Sequence, residues 1–340
     1  MINTVYRLVS SKLIEEDIVE IKDLENNVIV RPLYLSICKA DQRYYNGKRD
    51  LGILKEKLPM ALIHEGVGEV IIDNTQTFKP GDKVVMIPNL PTEDDDLILE
   101  NYRTTSKFRS SNCDGFLMDY VESHPNRLIK LPENFNLKIA SFIELISVSV
   151  HASKRFINSS HKKCNTIGVW GDGIFGYITS LVLKLLLPNS KIIVFGLHQD
   201  KLDFFTFADE TYLTTNIPEN LTIDHGFECV GKDNSSIAIN QIINLINPQG
   251  TISILGVSEN PVQINTRLVL EKGISILGSS RSTREDFIST IELLEKYPDY
   301  LPYLENIIRE IDINVLKDIN KAFVYDLNNY FGKTVLKWNK

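Results

Sequence analysis

Over roughly the first 150 residues, apolar positions come in short runs that Gly and Pro cut off. Examples are "NVIVRPLYL", "GVGEVII", "GDKVVMIP", "DGFLMDYV" and "NRLIKLP". Their close spacing predicts short strands in an all-β, barrel-like module, which the acidic loop "LPTEDDDLILEN" interrupts. A helical period starts near Leu137 and continues through "IASFIELISVSVHASKRF", which predicts one helix. From about Cys164 the pattern changes. The runs "TIGVW", "KIIVFG", "HGFECVG", "GTISILGV" and "GISILGSS" are apolar throughout, as strands buried on both faces are. Helical segments such as "IFGYITSLVLKLL" and "SSIAINQIINLI" separate several of them, so a doubly wound parallel-sheet α/β domain is predicted. After Arg281 come a helix around "REDFISTIELLEKY" and a final strand within "YFGKTVLKW".

A chain of 340 residues suits two domains. Its net charge of -7 argues against a nucleic-acid partner, because phosphate contacts need a basic surface. An anionic substrate would therefore need a local Arg or Lys cluster. No apolar run approaches the roughly 20 residues that span a bilayer, and the N-terminus lacks the basic-then-apolar order of a secretory signal. A cytoplasmic protein without membrane contact is the expectation. The four cysteines, Cys38, Cys113, Cys164 and Cys229, are too scattered for a disulfide scaffold or a zinc knuckle.

The stretch "WGDGIFG" follows one apolar run and opens a helical one. Gly171 permits a sharp turn, Gly173 lets a pyrophosphate approach the backbone, and Gly176 lets the helix pack on the strand. The helix start at Ile174, Phe175 and Gly176 would face the phosphates. The next strand ends at Gly196, about 20 residues on, where an acid usually accepts the ribose hydroxyls of NADH. A glycine there, with His198 and Lys201 following, favours NADPH. On this reading Gly196→Asp should shift the preference towards NADH.

The runs "SICKADQRYY", "LIHEGVGEV" and "FIELISVSVHA" resemble the zinc-dependent medium-chain dehydrogenase/reductase family. The resemblance implies a GroES-like β-barrel-type catalytic domain over 1–146, a Rossmann dinucleotide-binding domain over 147–282 and a return segment over 283–340. It also implies one catalytic zinc, held by Cys38, His64 and either Glu65 or Glu144. Thiolate, imidazole and carboxylate are the donors that zinc takes in catalytic sites. Within the family the likeness is to the branch that reduces D-ribulose 5-phosphate with NADPH on the way to CDP-ribitol and teichoic-acid-type polymers. Alternatives are another polyol dehydrogenase of the family and a non-catalytic NADPH-binding protein. A homodimer or homotetramer is implied, with association with a cytidylyltransferase.

Three departures from the family pattern stand out. Ile63 replaces the Gly before His64, which the sequence alone marks as a minor change. The four-cysteine structural zinc lobe is absent, with only Cys113 in that region. Ala40 stands where many relatives place a proton-passing hydroxyl, so the usual relay is in doubt. For a substrate phosphate, Arg43 is the first expectation, on the loop after Cys38, with Lys39, Arg49 and Arg109 behind it.

Overall fold

The computed structural model describes residues 1–340, which divide into two compact units. Unit 1 comprises Met1–Glu144 and Ser282–Lys340; unit 2 is Leu145–Arg281.

In unit 1 the main sheet runs in the order Leu128–Lys130, Lys83–Met86, Glu65–Asp73, Val28–Ser36, Lys333–Trp338, Ile308–Ile313, with Val121–Ser123 also paired to Val28–Ser36. A second sheet joins Leu13–Glu20, Ile2–Ser10 and Met60–Ala61. Alternation along these strands buries one core that includes Leu8, Val30, Leu35, Leu62, Phe116, Phe323 and Leu336. Pro32 cannot donate to the ladder, and the pairing of its strand with Glu65–Asp73 shifts register between Pro32 and Tyr34. The returning strand Lys333–Trp338 is antiparallel to Val28–Ser36 and parallel to Ile308–Ile313, so residues from both ends of the chain form adjacent strands.

Unit 2 is one parallel sheet of six strands: Thr166–Trp170, Lys191–Gly196, Glu210–Leu213, His225–Glu228, Thr251–Ile254 and Ser275–Gly278. Numbered along the chain, they lie in the order 3-2-1-4-5-6 of a dinucleotide-binding fold. The order reverses beside Thr166–Trp170, so a ligand is expected at the carboxyl end of that strand. Trp170 stacks on Phe195 at 3.9 Å between ring centres, inside a core of Ile193, Ile239, Ile242 and Ile252.

Some local expectations need correction. The single helix from Leu137 is two helices, Leu137–Ala140 and Ile143–Ser159. The break falls at Ser141, whose hydroxyl donates to the Lys138 carbonyl and so competes with the helix ladder. Of "DGFLMDYV", only its final Val121 enters a strand. Gly115, Phe116 and Leu117 instead donate to the carbonyls of Ala61, Ile63 and Leu62. "GISILGSS" is a strand, but it is the sheet edge and three of its four residues are exposed.

Candidate functional site

Cys38 caps the helix Lys39–Tyr45, directly after the strand Val28–Ser36. What was expected as a loop is therefore largely helix. His64 immediately precedes the strand Glu65–Asp73, which begins at Glu65. Ligand atoms of Cys38, His64 and Glu65 all lie within 4.8 Å of one another.

Asp41 ties these elements together. Its carboxylate accepts from the Cys38 amide at 3.1 Å, the Ile63 amide at 3.0 Å and the Ser110 hydroxyl at 2.6 Å. It also faces His64 Nδ1 at 3.3 Å, which leaves Nε2 as the ring nitrogen not engaged by Asp41. Burial alone would raise the Asp41 carboxyl, but His64, Ser110 and the Cys38 amide outweigh it and hold it low. Burial likewise disfavours a charged His64, and Asp41 more than reverses that, pushing it well up.

Ile63 is fully buried with φ of 69°, a left-handed backbone that a β-branched residue rarely adopts. Its replacement of the family's Gly is therefore a strained position held by the Asp41 bond and by the Phe116 amide at 2.7 Å.

Glu65 is wholly buried against Lys333, whose Nζ donates to Oε1 at 2.7 Å and to the Ile37 carbonyl at 3.0 Å. Nζ also lies 2.6 Å from Oε2, yet at an angle that makes no hydrogen bond, so Oε2 is buried and unsatisfied. Glu144 does not join the 4.8 Å cluster, although it is buried beside it. Burial pushes its carboxyl up to about 7, His64 pulls it down and Glu65 pushes it up again. A thiol, an imidazole and two carboxyl groups, one with an orphaned oxygen, form a donor set that fits zinc.

In unit 2 the glycine loop has the shape a coenzyme needs. Gly171 has φ of 132°, and a Cβ at Gly176 would sit 2.0 Å from the Gly171 carbonyl oxygen. Gly173 caps the helix Ile174–Leu186, and a Cβ there would meet nothing within 4 Å. No protein atom demands glycine at that point, whereas a closely approaching pyrophosphate would. These residues fit a dinucleotide. Ile174 and Phe175 form the first turn of the helix, and His198 and Lys201 follow Gly196. The corner is not empty at Gly196, however. A Cβ there would lie 2.7 Å from Asp172 Cβ and 2.9 Å from Leu202 Cδ2. Gly196→Asp would therefore report crowding as well as charge.

The basic candidates separate by their surroundings. Arg43 lies in the last turn of the helix that Cys38 caps. Lys39 pairs with Asp326 at 3.3 Å, and Arg49 lies over the Tyr44 ring at 4.9 Å. Arg109 donates to the carbonyls of Asp114 at 3.4 Å and Glu122 at 2.6 Å and lies over Phe116, which identifies it as a structural arginine. Pattern reading missed Asp41, Ser110, Lys333 and Asp172. Only Asp41 leaves a local signal, an acid three residues after a helix cap.

The sequence matches the alcohol dehydrogenase GroES-like domain over residues 24–133 and the zinc-binding dehydrogenase model over residues 191–296. It is 51% identical over 339 residues to ribulose-5-phosphate reductase 1 of Staphylococcus aureus, covering 99% of each chain. It is 49% identical, with the same coverage, to ribulose-5-phosphate reductase of Bacillus spizizenii. The fold superposes on the crystal structure of S. aureus TarJ in complex with NADPH with a TM-score of 0.90, 46% identity and full coverage of both chains. With its donor set, glycine loop and parallel sheet, the chain belongs to the zinc-binding dehydrogenases with an alcohol dehydrogenase GroES-like domain.

Proposed function

We propose that this chain reduces D-ribulose 5-phosphate to D-ribitol 5-phosphate with NADPH, in support of CDP-ribitol and teichoic-acid-type polymers. The observation that carries this is end-to-end identity near one half with ribulose-5-phosphate reductases, together with a largely buried donor set that fits zinc. Unit 1 serves as the catalytic domain and unit 2 as the coenzyme domain. Zinc supplies Lewis-acid polarisation of the ketone oxygen, and NADPH supplies the hydride. Gly171, Gly173 and Gly176 open the loop to the pyrophosphate, and the amides of Ile174 and Phe175 face it. His198 and Lys201 are the donors for the 2′-phosphate.

Cys38, His64 and Glu144 would hold the metal at rest. Charge balance supports that choice over Glu65: one thiolate and one carboxylate neutralise a dication, while Lys333 already balances Glu65. Asp41 fixes the imidazole, and Glu65 keeps a buried oxygen without a hydrogen-bond partner that could serve a bound metal. Ala40 offers no hydroxyl, so the product oxygen receives its proton from water or another hydroxyl. On this assignment Glu144→Gln loses zinc by elemental analysis, whereas Glu65→Gln keeps about one equivalent. The reverse pattern would make Glu65 the resting ligand.

The substrate is tested by following NADPH oxidation against phosphorylated and free ketoses. Ribulose 5-phosphate should be the best of them, and a clear preference for a free ketose would make the chain another polyol dehydrogenase. No helix is long and apolar enough to cross a membrane. We place the enzyme in the cytoplasm as a homodimer or homotetramer, supported by the exposed edge strand Ser275–Gly278 with Ile276 outward. A cytidylyltransferase that consumes its product is its natural associate.

A further inference from the structure

The turn after Lys191–Gly196 is where this fold holds the adenine ribose, usually with an acid at the strand end. Gly196 supplies none, yet a carboxylate is there. Asp172, between the first two glycines of the loop, fills the space a Gly196 side chain would take, since the two Cβ positions would be 2.7 Å apart. Its Oδ2 accepts from the amides of Leu197 and His198 and pairs with His198 Nδ1, each at 2.8 Å. A carboxylate only accepts, so Nδ1 carries the proton in that pair. These bonds leave Oδ1 uncommitted to the turn. Burial raises the Asp172 carboxyl, but His198, the two amides and Lys201 outweigh it and keep the group ionised.

We propose that Asp172 sets the coenzyme preference by carrying, from the glycine loop, the negative charge that Gly196 removes from the strand end. Its free oxygen suits a ribose 2′-hydroxyl. The same charge opposes a 2′-phosphate, against the attraction of His198 and Lys201. The glycine at the strand end therefore overstates the selectivity for NADPH, and the wild-type chain accepts NADH to a measurable degree. This rests on reading Gly171–Gly176 as the coenzyme cradle.

The test is calorimetric titration of the full chain with adenosine 2′,5′-bisphosphate and with adenosine 5′-monophosphate, which differ only in the 2′-phosphate. Asp172→Asn removes the charge and keeps the size. It should shift the ratio of the two Kd values about tenfold towards the bisphosphate, and kcat/KM for NADPH over NADH should move the same way. Asp172→Ser serves as the second variant, with the same expectation, should the first fail to fold. A purely structural role would weaken both ligands together and leave the ratio unchanged, and that result overturns the proposal. A shift towards the monophosphate overturns it too. If neither ligand binds the wild-type chain, the cradle reading fails first, which is a distinguishable outcome.

Discussion

Lys333 and Glu65 are a fully formed ion pair in the interior of unit 1, with side-chain exposures of 5% and 0%. Burial would lower the lysine, and the Glu65 carboxylate beside it more than reverses that. Removing one partner of such a pair costs about 3–5 kcal/mol, because the survivor is left buried and unpaired. Lys333→Met should lower the denaturation midpoint accordingly, and Lys333→Met with Glu65→Gln should recover most of the loss. A double variant no better than the single one would mean that Lys333 acts by packing alone. Arg43→Ala is a gentler case. If Arg43 holds the substrate phosphate, efficiency with ribulose 5-phosphate should fall about tenfold to a hundredfold while the rate with free ribulose is unchanged. Equal losses on both would send the search for the phosphate group elsewhere. At this scale Cys38, His64 and Glu65, whose donor atoms the fold brings together, were legible because they sit in short motifs. Lys333 was not: it lies 268 residues from its partner, and only strand pairing joins them. Asp172 sits inside the glycine motif, and the turn amides it binds lie 25 and 26 residues further along the chain.

Elements add a pH dependence. The strand His225–Glu228 begins with a histidine whose Nδ1 accepts from the Thr251 amide at 3.1 Å and whose Nε2 lies 3.0 Å from the Lys163 carbonyl. That arrangement requires the neutral ring with its proton on Nε2. Burial, and then His161 with its ring centre 4.5 Å away and tilted by 45°, push His225 down to about 4 from the usual 6.5. Above 6.5 the folded and unfolded chains both keep it neutral. Below that, the unfolded chain takes up a proton that the folded one refuses, so stability falls as pH drops towards about 4. The slope should be at most about 1 kcal/mol per pH unit. Thermal midpoints between pH 7 and 4.5 should show this loss, and His225→Gln should flatten it. An unchanged slope would assign the acid sensitivity to other groups. The strand itself was legible as an apolar run, but its histidine's role was not, because its partners, Thr251 and Lys163, lie far from it in the sequence. Ser275–Gly278 shows the opposite limit: an apolar run marks a strand without telling whether it lies at the centre or the edge of its sheet.

At the scale of the molecule, periodicity separated a β-rich part from an α/β part because side-chain repeat follows local backbone geometry. It did not pair the last strand with the third, since nothing local encodes which strands meet. That pairing has a consequence for how the enzyme comes into being. Translation releases the chain from its N-terminus. All six strands of unit 2 precede Ser282, so that unit can close as soon as its own sequence has emerged. Unit 1 cannot: its sheet lacks the strand between Val28–Ser36 and Ile308–Ile313 until Lys333–Trp338 has been made. Throughout that interval Glu65 has no lysine, and Cys38 and His64 line an unfinished interior. On the proposed ligand set, zinc offered to a nascent chain would meet Cys38 and His64 before the scaffold that fixes their geometry. A ribosome that stops before Lys333 therefore yields a coenzyme-binding domain attached to an incomplete metal-binding one, a natural substrate for the cell's proteases.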